Sequence, residues 1–395
     1  MRQGTFQWMK SVNRMIVLNM IRKKSPISRA QIAQETQLTP PTVSSIVKEL
    51  IESELVKETQ LGESQGGRKP TLLTINHLRF YVIGVDAGPS HIKTMISDLQ
   101  GNIINKRQSK SIISMNEEEF LGALKEEIRE IIHEASIGIE FIGIGVAMHG
   151  AVDVETGIGL FAPNLGWRNI PIKDSLELEF GISVKVENDA RAMAMGEYWF
   201  GEYDDTESLV TLNIGRGVGA GIIINGQLFY GAQSVAGEIG HMTIDLNGEL
   251  CECGNRGCLQ TLTTGDAIAK RAKEAMSAKM LNELKGDLSG AKVYELAKEG
   301  NEVAIQVLWE TGKIIGIGII NLVHLLNPDK IIIGGGVSKA SEFIMPGIKA
   351  TIQERGLTQQ VKDTEVIESK LGSYSTIKGA VAVVLFHLFH PIEIT

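Results

Sequence analysis

Gly237 to Gln260 reads GEIGHMTIDLNGELCECGNRGCLQ; it holds all three cysteines of the chain, Cys251, Cys253 and Cys258, and places His241 one short hairpin upstream of them. Four compact N and S donors in so short a span are the pattern of a metal site. A structural zinc ion takes four such ligands in a closed tetrahedron, and Gly254 and Gly257 let the backbone turn tightly between the thiolates. Four protein ligands leave no position for a bound water, so the expected zinc is structural rather than catalytic. Disulfides are the competing reading. An odd cysteine count, spacings too tight for an easy bridge and an N-terminus without a basic-then-apolar signal argue against them.

Around this stretch lies a chain of 395 residues, 43% hydrophobic and 22% charged, long enough for two or three domains. Its 43 glycines exceed ordinary usage and predict many tight turns or backbone-lined ligand loops. The most apolar run, Ile314 to Leu326, is interrupted by Asn321 and His324 and is too short to span a bilayer, so a cytoplasmic protein with no membrane partner is expected. Net charge is −8, which by itself disfavours nucleic acid. The charge is uneven, however: residues 1–80 carry 12 Lys/Arg against 6 Asp/Glu, leaving −14 on the remainder. A basic head on an acidic body is the electrostatic layout of a DNA-binding sensor.

The head reads as three short helices. Val12, Met15, Ile16, Leu18 and Ile21 recur at helical spacing between Val12 and Lys24. Ser28 opens a second helix, with Gln31 completing a capping box and Ile27 and Ile32 spaced as a hydrophobic staple. Thr39 opens a third, with Pro40 at the first helical position and Leu38 and Val43 as its staple. A tight turn between the last two makes a helix-turn-helix, although three helices also suit a bundle for protein contacts. In the third helix Val43, Ile46, Val47 and Leu50 form the inward stripe. Pro41, Thr42, Ser44, Ser45 and Lys48 then face outward, a small, hydroxyl-rich surface able to approach the major groove closely. Strands at Leu55 to Thr59 and Thr71 to Ile75 flank a glycine-containing loop, which is the form of a wing with Arg68 and Lys69 at its tip. Arg29, Thr39, Pro41, Thr42, Ser44, Ser45, Lys48, Arg68 and Lys69 are therefore the candidate contacts to double-stranded operator DNA.

The Gly237 to Gln260 stretch resembles the signature of the ROK family, G-E-x-G-H followed by C-x-C-G-x-x-G-C-x-E. Glu238 and His241 match the first part, Cys251, Cys253, Gly254, Gly257 and Cys258 match the second, and Gln260 stands where the family has Glu. The resemblance implies an α/β, two-lobed actin-like or hexokinase-like body, and it spans roughly residues 80–395. ISRA, TVS and GGR-P in the head resemble the winged helix-turn-helix of ROK repressors, which ROK kinases lack. The expected division is 1–78 for the head and 79–395 for the body, with lobes at roughly 79–195 plus the C-terminal helix and at 196–373.

Within the body, Asp86, Gly88, Pro89 and Ser90 stand where the resemblance puts a first phosphate loop, and Gly215 to Gly221 where it puts a second. Pro89 removes an N–H that a phosphate would need, and Arg216 replaces a threonine hydroxyl with a long guanidinium. Val184 to Ala190 contains E-N-D-A, whose Asp189 would be the general base of a kinase and, in a receptor, an acceptor for sugar hydroxyls. His149 precedes Gly150 where the family has P-G, and FAPNLGW at Phe161 to Trp167 resembles a sugar-pocket strand with Trp167 packing beside Asn164. Gly150, Asn164, Asn188, Asp189, Glu238, His241 and Gln260 are thus the candidate sugar ligands, with His241 also a zinc ligand. PISRA, TVSS and GHMTID resemble most the xylose repressors of Gram-positive bacteria. The expectation is a dimeric, non-enzymatic, sugar-responsive repressor with a xylose-like or glucose-like effector; a ROK sugar kinase is the alternative.

Overall fold

The computed structural model describes residues 6–61, 70–109, 111–135, 138–162, 165–203, 206–284 and 287–390. In the head, α1 (Phe6–Lys24), α2 (Arg29–Thr36) and α3 (Pro40–Glu52) pack on a three-stranded sheet of β1 (Ile27–Ser28), β2 (Val56–Leu61) and β3 (Thr71–Ile75) in the order β1-β3-β2. The Ser28 hydroxyl accepts from the Gln31 N–H, and the Gln31 side chain accepts from the Ser28 N–H at 3.0 Å, so two orphan donors are satisfied reciprocally. Gln37, with φ +57°, ends α2, and Thr39 caps α3. Arg68 and Lys69 lie outside the described residues.

The first helix departs from its sequence reading. It buries Val17, Leu18 and Ile21, whereas Val12, Met15 and Ile16 are only partly covered. The reason is a partner far away in sequence. The head's core is continuous with Val82, Met95, Leu99, Ile377, Val381, Leu385 and Phe389 of the body, and that contact turns the stripe of α1.

The first lobe holds β4 (Tyr81–Ala87), β5 (Ile92–Asp98), β6 (Ile103–Gln108), α4 (Glu117–His133), β7 (Phe141–Met148), β8 (Ala151–Asp153), β9 (Ile158–Ala162), β10 (Trp167–Pro171), α5 (Ile172–Phe180), β11 (Val184–Asn188) and α6 (Asp189–Phe200). Its five-stranded sheet runs β11-β7-β4-β5-β6, with β4 antiparallel to β5 and parallel to β7. The phenylalanine and leucine stripe of α4 covers one face through Phe120, Leu124 and Ile128. On the other face lies the last helix of the chain, α14. A side chain on Gly145 would collide with the carbonyl of Ala380, so glycine in this strand admits a helix backbone.

The second lobe repeats the plan with β12 (Leu209–Ile214), β13 (Val218–Ile224), β14 (Gln227–Leu228), β15 (Lys330–Gly334) and β16 (Glu365–Glu368) in the order β14-β13-β12-β15-β16. Its helices are α7 (Gln260–Thr263), α8 (Gly265–Ala275), α9 (Ala278–Glu283), α10 (Gly290–Lys298), α11 (Glu302–Leu326), α12 (Ser341–Arg355) and α13 (Gln359–Lys362); α14 (Ser375–Phe389) then returns to the first lobe. Residues 302–326 and 372–389 are long and apolar enough, by length and composition, to cross a bilayer, so the expectation that the apolar run at Ile314 is too short to do so does not hold for the helix that contains it. Both segments bury their apolar faces in the protein: Ile315, Ile319 and Leu322 in the second-lobe core, and Val381 and Leu385 against the first lobe and head. The lobe division expected near residue 195 falls inside α6, one unbroken helix.

Candidate functional site

A cavity of about 650 Å³ opens between the two sheets, within the usual size of a small-molecule site. It is lined by Gly150, Asn188, Asp189, Glu238, His241 and Gln260, which come from three separate stretches of sequence. Asn164 lies outside the described residues, and Trp167 is not part of the lining. Its ring is buried in the first-lobe core, stacked on Phe120 at 4.1 Å, with Nε1 donating to the Met115 carbonyl at 2.7 Å. Among the described residues of that stretch, Phe161 lines the cavity.

The end of β11 and start of α6 form the polar floor. Asn188 caps α6 by accepting from the N–H groups of Ala190 and Arg191, and its Nδ2 donates to the Gly150 carbonyl at 2.9 Å. Gly150 has φ +102°, a conformation that suits glycine. Asp189 Oδ1 accepts from its neighbour's N–H at 2.8 Å and from Asn188 Nδ2 at 3.1 Å, while Oδ2 faces His149 Nδ1 at 3.2 Å. Burial pulls the His149 pKa down, but the hydrogen bond and charge of Asp189 outweigh it and leave the imidazole above its ordinary value. Burial pushes the Asp86 carboxyl up, with Lys93 at 3.4 Å acting in the opposite direction.

Beneath this floor is a buried ion pair that sequence reasoning overlooked. Glu187 and Arg191, 2% and 4% exposed, pair at 2.6 Å; Tyr230 donates to Glu187 at 2.8 Å and Arg191 donates to the Ser234 carbonyl at 3.0 Å. The network ties α6 to the loop that leads into Glu238 and His241. Its signal was the i, i+4 spacing of Glu187 and Arg191 on either side of N-D-A.

The two loops at phosphate-loop positions also line the cavity, through Gly88, Pro89 and Ser90 and through Gly215, Arg216 and Gly217. The Gly215 N–H is spent inside its own loop, donating to the Gly217 carbonyl at 2.9 Å. Pro89 has no N–H to give.

His241, on a 3₁₀ turn, meets the cysteine loop at the cavity wall. One ring nitrogen of His241 and the Sγ atoms of Cys251, Cys253 and Cys258 all lie within 4.8 Å of one another. Cys253 and Cys258 are 3.7 Å apart, close to the ~3.8 Å separation of two thiolates on one tetrahedral zinc ion, and His241 and Cys251 are also 3.7 Å apart. The backbone N–H of Asn255 holds the Cys253 thiol below its usual range, whereas burial, with the neighbouring sulfurs, pushes Cys258 up to about 12. The donor set therefore fits a metal ion, which would take the proton's place on the buried thiol. Gly254 and Gly257 have φ +89° and +66°, as tight turns between ligands require. Gln260 Nε2 donates to Cys251 Sγ at 3.3 Å, a bond that the family's glutamate, acceptor-only when ionised, would not make.

On α3 of the head, Pro41, Ser44, Ser45 and Lys48 are exposed and Thr42 half-buried, opposite the buried Val43, Ile46, Val47 and Leu50. The Thr39 and Thr42 hydroxyls lie 2.8 Å apart, and Arg29 pairs with Glu58 at 2.8 Å.

Residues 82–386 match the ROK family, and residues 13–57 match a winged helix-turn-helix DNA-binding family. The chain is 33% identical over 388 residues to the xylose repressor of Caldicellulosiruptor bescii, covering 97% of both proteins. It is 31% identical over 383 residues to the DNA-binding transcriptional dual regulator NagC of Escherichia coli, covering 96% of this chain and 94% of NagC. A solved ROK family transcriptional regulator, a homologue of the E. coli MLC protein, superposes with a TM-score of 0.84 at 29% identity, covering 96% of this chain and 97% of that one. These relatives are regulators rather than kinases, in keeping with the spent phosphate loops. The chain belongs to the ROK family, in the group whose members join a ROK body to an N-terminal winged helix-turn-helix head.

Proposed function

We propose that this protein is a transcriptional repressor of carbohydrate-utilisation genes, released from its operator by a monosaccharide bound in the cavity between the lobes. One observation supports the reading most: a helix-turn-helix head shares its core with one lobe of a cleft lined by Asn188, Asp189, Glu238, His241 and Gln260, beside loops in which Pro89 and Arg216 stand at phosphate-loop positions. Asn188, Asp189, Glu238, His241 and Gln260 bond the sugar hydroxyls, with Gly150 admitting the ring and Asn164 completing the set. Zinc on His241, Cys251, Cys253 and Cys258 fixes the wall from which His241 and Glu238 reach the ligand. Pro41, Thr42, Ser44, Ser45 and Lys48 enter the major groove, Arg29 and Thr39 bind the backbone, and Arg68 and Lys69 serve the wing.

Similarity to xylose repressors supports a xylose-like effector; the likeness to NagC supports an N-acetylated sugar as the second candidate. A cytoplasmic homodimer places two heads on a palindromic operator, and sugar favours the arrangement whose heads no longer match the half-site spacing. Fluorescence anisotropy of labelled duplex from upstream of the gene itself or of a neighbouring sugar operon, at fixed salt, tests this with xylose, glucose and N-acetylglucosamine in turn. The expected result is tight binding released by one sugar, and weaker release in Asp189→Asn. Binding no stronger than to unrelated DNA would overturn it.

A further inference from the structure

His149 comes from the loop that ends β7, and its backbone N–H donates to the Ala87 carbonyl at 3.1 Å, which fixes its base against the first sheet. Its side chain is 14% exposed. One ring nitrogen, Nδ1, is committed to Asp189 Oδ2 at 3.2 Å; among the described residues the other, Nε2, has no protein partner. The ring also borders the second lobe: a Cβ placed on Gly217 would sit 3.9 Å from His149 Cε1. The imidazole is therefore in reach of both the carboxylate that a sugar hydroxyl would approach and the glycine loop at the second phosphate-loop position.

The consequences for Asp189 follow from counting acceptors. Three hydrogen bonds, from the Ala190 N–H, Asn188 Nδ2 and His149, use most of the lone pairs of its carboxylate. What the pair offers to the cavity is one remaining acceptor site on Asp189 and the Nε2 of His149. A hydroxyl, which both donates and accepts, is the complement of such a pair.

We propose that His149 is a specificity-determining residue of the sugar site, its Nε2–H donating to the same ligand hydroxyl that Asp189 accepts from, while its ring fills the path a phosphoryl group would take from the Gly217 loop. The proposal rests on the sugar-responsive reading above. It makes the pair a reader of one hydroxyl rather than a base that deprotonates it. The doubly protonated ring is the form with Nε2–H when Nδ1–H faces the carboxylate, and the hydrogen bond and charge of Asp189, which raise the His149 pKa, favour that form. As pH rises through that pKa, Nε2 becomes an acceptor and the bond to the hydroxyl oxygen is lost. The charged groups around the ring are Asp189, Asp86 with its partner Lys93, and Arg216; His91 and His241 line the same cavity.

The test is calorimetric titration of the full chain, as wild type, His149→Ala and His149→Gln, with whichever of xylose, glucose or N-acetylglucosamine releases the operator. Affinity is expected to fall about ten-fold or more in His149→Ala, the loss of a hydrogen bond from a charged donor. In wild type it should decline as pH rises through the His149 pKa, which Asp189 holds above the ordinary histidine value. In His149→Gln, which keeps a neutral donor and leaves His91 and His241 in place, that pH dependence should be lost. Wild-type affinity in His149→Ala, or the same pH profile in wild type and His149→Gln, overturns the proposal. Operator binding that no sugar releases overturns the sugar-responsive reading and the proposal together, whereas release by a sugar with indifferent His149 variants overturns the proposal alone.

Discussion

The two lobes carry the same sheet: in each, a first strand is flanked by an antiparallel hairpin on one side and by parallel strands on the other. They differ in what that sheet is joined to. The first lobe continues without a break into the head, where Asn19 of α1 donates to the Phe389 carbonyl at 3.0 Å and the Arg22 guanidinium lies over the Trp199 ring at 4.0 Å. The second lobe has a separate core and bears, at the cavity wall, the four donors whose arrangement fits a metal ion. A duplicated architecture has thus been divided, one half fastened to the winged helix-turn-helix and the other carrying the His/Cys cluster at the cavity wall. Under the proposed function, rotation of one half against the other is what would carry ligand binding to the DNA.

The sharpest way to break this comparison is at the shared core of head and first lobe. Phe389→Ala removes a buried ring among Arg22, Trp199 and the head, and is expected to cost about 3–5 kcal/mol. Thermal denaturation followed by tryptophan fluorescence should show head and first lobe losing stability together; an undisturbed body would mean that the junction is superficial. On the other half, Cys253→Ser should lower zinc affinity more than about 100-fold and soften the second lobe, as judged by metal content and hydrogen exchange. A wild-type protein purified without zinc, and indifferent to adding it, would remove the clamp from the picture. The smallest effect is expected at the DNA surface. Lys48→Ala, an exposed residue paired only loosely with Glu52 at 3.7 Å, should weaken operator and non-operator DNA alike and reduce the salt slope by about 1. Loss confined to the operator would instead give Lys48 a base-reading role.

Local chemistry was readable in the sequence wherever the partners are near in the chain. Ser28 with Gln31, Thr39 with Pro40, and the Cys251, Cys253 and Cys258 spacing each declare a geometry within a few residues, and each forms it. The strand runs at Tyr81 and Phe141 were equally legible, because apolar β-rich segments bounded by turns have few alternatives. What could not be read was fixed by distant partners. The stripe of α1 is set by α14, more than 350 residues away, and the side on which Trp167 lies is set by Phe120 on α4. Nothing adjacent to Gly145 in the sequence announces that the Ala380 backbone lies against it. His149 was visible as a departure from the family pattern, but its neighbours Asp189 and Gly217 come from distant stretches that only the fold brings together.

The fused core of head and first lobe also bears on how this protein can be re-engineered. Exchanging heads between regulators is an attractive route to biosensors with new operators, and a cut near residue 78 looks convenient in the sequence. Here such a cut would strip Val82, Met95, Leu385 and Phe389 of their apolar neighbours, leaving a greasy scar on the sensor and an equally naked face on the donor head. A working chimaera must carry the docking strip of α14 along with the head, so the transplantable unit consists of the two ends of the chain taken together.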